Sequence, residues 1–287
     1  MDDRVALTIA GSDSSGGAGI QADIKTFFAH RVFAATAITA ITVQNTTRVH
    51  DIVPLDPRVV TAQATAVIDD IELSAVKTGM LATPEIVSAV ADLARRGLLP
   101  NLVVDPILFS STGQPLIADG GVQAYRELLI PFTKLLTPNI VEAALLTGRP
   151  PEQLSSIEEI DKAGRALLEL GAEHVVVTGG PISNRSTNTS IGPGVASKDS
   201  MDLLLSRDTS TVFSATRIQT LNDHGTGCAF SAAITANLAN AMPVKEAVGH
   251  AKEFVRAALR SSRSRRIGSG RGPLDYFVEF ESDMGNL

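Results

Sequence analysis

Apolar positions along the chain fall into two alternating kinds of run. Short blocks rich in Val, Ile and Thr are separated by longer segments in which apolar residues recur every three or four positions. The first kind fits β-strands and the second amphipathic helices. "RVALTIA" reads as a strand, and "IQADIKTFFAH" as a helix reached through a glycine-rich loop. "ATAITAITV" is a second strand, followed by a helix near 57–70, a strand at "AVKTG" and a helix from Pro84 to Arg96. The proline suits a first helical turn, where its missing N–H would have no partner anyway. "NLVVDP", "KLLTP" and "HVVVTGG" are further strands that end in turn residues, each preceded by a helical stretch. Repeated alternation of this kind predicts an α/β fold whose mostly parallel sheet is covered by helices on both faces.

"MDLLLSRDTSTVFSATRI" departs from the alternation and reads as two antiparallel strands at the sheet edge. Before it, the polar, Gly/Ser/Thr-rich stretch 182–200 reads as a flexible insertion. A helix over 243–260 closes the pattern, and the arginine cluster in "SSRSRRIGSGRGP" reads as its solvated end. No internal repeat or linker interrupts the chain, so residues 1–287 are expected to form a single domain.

Composition narrows the functional classes. Hydrophobic residues are 44% and charged residues 20% of the 287 positions, as in ordinary globular enzymes. A net charge of −6 argues against nucleic acid as the main partner. No run approaches the roughly 18 apolar residues of a membrane span. The N-terminus carries acids where a signal peptide carries bases, which leads to the expectation of a cytoplasmic protein. The single cysteine cannot form an internal disulfide.

That cysteine lies in "NDHGTGCAFSAAITANLANA", where Cys228 follows Gly225, Thr226 and Gly227 at a helix start. The first turn of a helix has unpaired N–H groups and a partial positive charge. Glycines let such N–H groups face a ligand, so the motif can serve as an anion hole for a phosphoryl group. A thiol there is expected to have its pKa drawn from about 8.5 toward neutrality. The alternative is a small buried residue, as free cysteine often is. Spacing alone does not separate the two.

The first loop, "AGSDSSGGAGIQAD", also admits several readings. Gly11 and Gly16 have Walker A spacing, but Gly17-Ala18 replaces the lysine and hydroxyl residue. Gly17-x-Gly19-x-x-Ala22 imitates a dinucleotide fingerprint, yet the second strand ends on Gln44 and Asn45 rather than an acid. The remaining reading is a small-molecule pocket with Asp23 facing it, against a solvated helix carboxylate. In "TPNIVEAALL", Asn139 and Glu142 share one helix face. They suit hydrated Mg²⁺ near a phosphate, or a plain helix cap with a first-turn acid.

Taken together, "LTIAGSDSSGGAGIQADIKTF", "TAITVQNT", "KTGMLAT", "TPNIVEAALL" and "HGTGCAFSAAI" closely resemble the bacterial-type hydroxymethylpyrimidine/phosphomethylpyrimidine kinases of thiamine biosynthesis, in the ribokinase-like superfamily. The motifs come in the family's order, and the resemblance covers roughly 4–280. It implies a ribokinase-like three-layer sandwich, ATP and Mg²⁺ as cofactors, a small pyrimidine substrate and a homodimer. Asp23 and Gln44 match residues that hold the pyrimidine, helped by Gly11 and Met80. A carboxamide at Gln44 offers both donor and acceptor to an aminopyrimidine edge. Cys228 matches the catalytic base, and Gly225, Thr226 and Gly227 match the anion hole. Asn139 and Glu142 resemble the motif that organises magnesium and phosphate, with Asp105 in the same electrostatic environment. Thr178 and Gly180 fall on the nucleotide side, and "SSTGQPLI" resembles a flexible active-site loop.

Departures concern the nucleotide. Thr178-Gly179-Gly180-Pro181 replaces the family's Lys-Gly-Gly-His, losing a cation, and Tyr276 stands where a histidine is common. Three other readings remain in view: pyridoxal or pyridoxine kinase, an NAD-binding oxidoreductase, and a non-catalytic pyrimidine-binding protein.

Overall fold

The computed structural model describes residues 4–110, 113–180 and 199–278. Its strands are β1 Val5–Asp13, β2 Phe33–Gln44, β3 Val49–Pro54, β4 Ala75–Thr78, β5 Val103–Val104, β6 Leu135–Leu136, β7 His174–Gly180, β8 Asp199–Leu205 and β9 Ser210–Thr216. Between them run the helices α1 Gly19–Ala29, α2 Pro57–Ile68, α3 Pro84–Arg95, α4 Gly121–Ala124, α5 Ile140–Thr147, α6 Ile157–Glu169, α7 Thr226–Ala239 and α8 Val244–Ser262. All nine strands join one sheet in the order β3-β2-β1-β4-β5-β6-β7-β8-β9. The six from β2 to β7 are parallel, and β3, β8 and β9 are antiparallel additions at the edges. This is the α/β sandwich expected from the alternation.

β1 shows why the sheet is central. Val5, Leu7 and Ile9 join the core shared with α2, α3, α5 and α6, whereas Ala6 turns to the opposite face among Phe27, Ala232 and Ala236. Large residues on one face and alanine on the other let α7 approach closely. Every residue of α7 from Cys228 to Ala239 is buried, because α1 and α8 pack on the side away from the sheet. A helix buried all round needs no polar stripe.

Chain order reverses at β1, whose neighbours β2 and β4 lead away in opposite directions. Such a switch point opens a crevice at the carboxyl ends of parallel strands. β1 and β2 continue past it to Asp13 and Gln44, while β5 and β6 stop after two residues each. The long strands form a wall and the short ones a floor.

β3 was not foreseen in the sequence. It pairs antiparallel with β2, Ile41 opposite Val53, and its mixed "VHDIVP" pattern reflects an edge strand with much of its surface in solvent. The predicted β8–β9 hairpin forms, with Leu205 opposite Ser210. Most of the expected insertion at 182–200 lies outside the described residues, as do 111–112 of "SSTGQPLI"; the described remainder of that loop is closed by Ser110 N–H donating to Gln114 O at 2.8 Å. Among the described residues, no helix is long and apolar enough to cross a membrane.

The close seating of α7 gives a direct test. Ala236→Leu should force overpacking against β1 and lower stability by roughly 1–3 kcal/mol, read as a lower urea midpoint at unchanged slope. A midpoint equal to the wild type would mean that α7 does not pack as tightly as its alanines indicate.

Candidate active site

The cleft above the strand ends has two adjoining chambers. The first, of about 230 Å³, is walled by Gly11, Gln44 and Met80 on one side and floored by Asp105, Glu142 and Cys228. The second, of about 390 Å³, extends beneath Thr178 and Gly179 toward Lys252 and Arg256. Asn139, Thr178, Thr226 and Gly227 border both. The start of α7 therefore stands at their junction.

Local chemistry builds that junction. Asp13 ends β1 and gathers the following loop: its carboxylate accepts from the N–H groups of Ser15 (2.8 Å), Gly17 (3.1 Å) and Ala18 (2.8 Å). Burial works against its charge, but His224 and these donors outweigh it and hold the carboxyl well below the usual range. Gly225, the α7 N-cap, has φ +86°, and a Cβ there would run into the Gly17 carbonyl oxygen. Only glycine meets both constraints. Tyr276, the departure noted in the sequence, donates its hydroxyl to that same carbonyl at 3.2 Å.

Below the first chamber lies a buried charge cluster. Lys77, on β4, is fully buried with its Nζ 3.1 Å from Asp23 Oδ2, which also accepts from Thr8 Oγ1 at 2.6 Å. Burial alone would strip Lys77 of its charge; Asp23, with Cys228 and Asp105 beyond, reverses this and keeps the ammonium. Asp105 accepts from Ser231 Oγ at 2.8 Å, and burial raises its pKa despite Lys77.

Two expectations need correction here. Asp23 does not face the cleft: α1 turns it inward, because the buried Lys77 requires a counter-charge. The Cys228 thiol is not drawn toward neutrality either. Burial pushes it up to about 12; Asp105 and Asp23 add to this, and Lys77 and the Gly19 N–H oppose it without prevailing. Desolvation outweighs the helix terminus.

Gly180 also lies off the cleft, packed where a Cβ would meet Met201 Cε at 2.7 Å, and Gly179 takes its place on the chamber wall. Asn139 and Glu142 form a reciprocal capping box on α5, so the bland alternative holds as geometry, yet both still line the first chamber. Burial first and Asp105 second raise Glu142 to about 8. Two buried carboxylates, both raised by burial and one of them further by the other, fit an oxygen-seeking cation that keeps waters and phosphate oxygens as its other ligands. Among the described residues, no group of three metal-binding side chains forms a fuller cage.

Sequence reasoning missed Asp13, Lys77 and His224. His224 had a signal, adjacent to the glycine turn, and Lys77 had one as a lysine inside an apolar strand. The second chamber also holds more positive charge than the Thr178 departure suggested, because Arg217, Lys252, Arg256 and Arg271 reach it from the segment after β9, α8 and the C-terminal segment. Lys252 pairs with Asp202 at 2.5 Å, and Asp202 in turn accepts the Gly179 N–H at 3.1 Å.

The raised thiol predicts chemical behaviour. In the substrate-free protein, Cys228 should react with iodoacetamide at mildly alkaline pH at least about tenfold more slowly than a free cysteine. With one cysteine in the chain, mass spectrometry reads this directly; rapid alkylation would mean that the thiolate is stabilised after all.

Comparison with known proteins agrees with this geometry. The family model for phosphomethylpyrimidine kinase matches residues 13–275. A hydroxymethylpyrimidine/phosphomethylpyrimidine kinase of Rhizobium meliloti is 41% identical over 280 residues, 97% of this chain and 99% of that one. A pyridoxine kinase of Bacillus subtilis is 39% identical, over 91% of this chain and 92% of its own. The structure of Staphylococcus aureus pyridoxal kinase in complex with AMP-PCP and pyridoxal superposes with a TM-score of 0.82 at 32% identity, covering 99% of this chain and 96% of that chain. With a ribokinase-like sheet, a cleft at its switch point and a family match along nearly its whole length, the chain belongs to the phosphomethylpyrimidine kinase family.

Proposed function

We propose that the protein transfers the γ-phosphoryl group of ATP to the hydroxymethyl group of 4-amino-5-hydroxymethyl-2-methylpyrimidine, and then phosphorylates the monophosphate to the pyrophosphate used in thiamine biosynthesis. The observation that carries this reading is the pair of chambers meeting at the Gly225–Gly227 helix start. One chamber is sized for a small ring and the other is lined with cations. Phosphoryl transfer asks mainly for positioning and charge neutralisation between such sites.

In this mechanism Gln44, Gly11 and Met80 hold the ring, and the first-turn N–H groups of α7 take the transferring phosphoryl. Asp105 and Glu142 would hold magnesium, which when bound neutralises phosphate charge. Cys228 Sγ takes the alcohol proton. Its thiol is protonated before substrate arrives, so the base is a minority thiolate, favoured by Lys77 behind it and by the α7 terminus. Thr178 and Gly179 border the nucleotide, with the surrounding arginines supplying the charge that the missing lysine would have carried.

A second reading, phosphorylation of pyridoxal or pyridoxine, is supported by the Bacillus subtilis relative and by the Staphylococcus aureus neighbour. A cytoplasmic homodimer completes the proposal. Ile41 and Val53 face each other across β2 and β3 and are 47% and 49% exposed, with Val43 beside them at 51%, a strip suited to a second copy. Ile41→Asp should convert the dimer to monomer in sedimentation velocity; a wild-type protein that sediments as a monomer would remove this part of the proposal.

ATP turnover across hydroxymethylpyrimidine, its monophosphate, pyridoxal and pyridoxine tests the substrate, with kcat/KM expected to be highest for the pyrimidines. Cys228→Ala should fold normally and lower kcat by about 10²–10⁴, with little change in KM. Wild-type kcat should keep rising with pH through 9.0, the ordinary value for a thiol. A folded Cys228→Ala enzyme with wild-type turnover would mean that the thiol serves packing alone.

A further inference from the structure

His224 occupies a position that phosphoryl transfer itself does not explain. Its Nε2 lies 2.9 Å from Asp13 Oδ2 and 3.2 Å from the Nε2 position of the Gln44 carboxamide. An ionised carboxylate can only accept hydrogen bonds. Asp13 is ionised, held so by His224 and the loop donors against the effect of burial. The ring nitrogen facing it must therefore carry a hydrogen, whether the imidazole is neutral or charged. A protonated Nε2 has no lone pair left for Gln44, and an amide N–H₂ turned toward it would set hydrogen against hydrogen. The two ends of a carboxamide are nearly the same size, so proton count rather than shape decides which end faces the ring. That end is the carbonyl Oε1, which shares the single Nε2 hydrogen with Asp13 Oδ2, and the N–H₂ is left for the cleft.

Neither partner is free to drift. The backbone N–H of Gln44 donates to Ser14 Oγ at 3.0 Å, and Ser14 Oγ donates back to the Gln44 backbone carbonyl at 2.8 Å. The backbone N–H of His224 donates to Gly272 O at 3.1 Å, and its ring packs over Gly17, where any Cβ would meet Cδ2. Both Gln44 and His224 line the first chamber.

We propose that His224 is a positioning residue that sets ring specificity: by holding the Gln44 carbonyl, it presents an N–H donor to the substrate and selects a ring with an unprotonated nitrogen at that edge. The inference deepens the proposed function and rests on it for the identity of the ring. It differs from a general role in folding, because it concerns which end of one amide the substrate meets.

Two measurements test it separately. In the substrate-free protein, ¹⁵N NMR should find a proton on His224 Nε2 at neutral pH; a bare Nε2 overturns the inference whatever the enzyme phosphorylates. Kinetics then compare hydroxymethylpyrimidine with an analogue carrying C–H in place of the ring nitrogen beside the amino-bearing carbon. In the wild type the analogue should raise KM about 10–100-fold, with kcat little changed. In His224→Phe the amide is free to turn, and this penalty should shrink to within about threefold. In a Gln44→Leu background, His224→Phe should leave the ratio unchanged; with Gln44 present, His224→Gln, which retains a donor, should keep part of the discrimination that His224→Phe loses. A penalty that survives in His224→Phe, or equal losses on both substrates, overturns the role of His224. Failure of the wild type to phosphorylate either pyrimidine overturns the proposed function instead, and the NMR result still decides the proton on His224.

Discussion

Lys77 enters the interior on β4 with no access to water, and its charge is tolerated because Asp23 lies 3.1 Å away on α1. Removing either partner would leave an uncompensated buried charge, a defect of about 3–5 kcal/mol. The pair therefore ties α1 to the sheet directly below the first chamber. Its field reaches Cys228 and Asp105, two groups on the cleft floor whose charged forms burial disfavours. A carboxylate that the sequence places toward substrate thus works one layer down, on the buried cation beneath the floor.

Above that floor, position is set by backbone rather than by side chains. The Asp13 loop and the α7 turn touch at Gly17 and Gly225, and neither site has room for a Cβ. Asp13 draws the loop together, and Tyr276 fixes the Gly17 carbonyl from the opposite side. Main-chain N–H groups held this way need not reorganise when negative charge develops, which is where electrostatic preorganisation gains its effect. Where the resemblance leads one to expect a histidine, Tyr276 supplies a hydrogen-bond donor at a packing position.

Much of the architecture was legible because parallel strands buried on both faces write themselves as apolar blocks, and α3 and α6 carry clear amphipathic stripes. β3 was not legible, because an edge strand half in solvent loses the pattern that marks its neighbours. In the cleft, the glycine spacing before α7 reported backbone shape, and the resemblance to the kinase motifs pointed to Gly11, Gln44 and Asp105, all of which line the first chamber. Orientation was another matter. Nothing in the spacing of "GIQAD" reveals that Asp23 turns inward, because that depends on Lys77, 54 residues further along the chain. The thiol of Cys228 misled for a related reason: a helix terminus is local and readable, whereas desolvation is tertiary and here the stronger effect.

The same distinction governs the nucleotide side. A net charge of −6 and the loss of a lysine at Thr178 both suggest a poor site for polyphosphate. Yet a chamber responds to the charges that line it, focused by its low-dielectric walls, more than to the molecular total. Arg217, Lys252, Arg256 and Arg271 converge there from segments well separated in the chain. Asp202 holds Lys252 and Asp223 holds Arg271, so these long side chains are ordered before any anion arrives. A phosphate bound there, as proposed, would meet cations already in place, the entropy cost of fixing them having been met in folding rather than on binding. Asp202 also takes the Gly179 N–H, which couples the position of Lys252 to the strand end that borders both chambers. A cation removed from one point of the sequence is thus offset by a network that only the folded chain assembles.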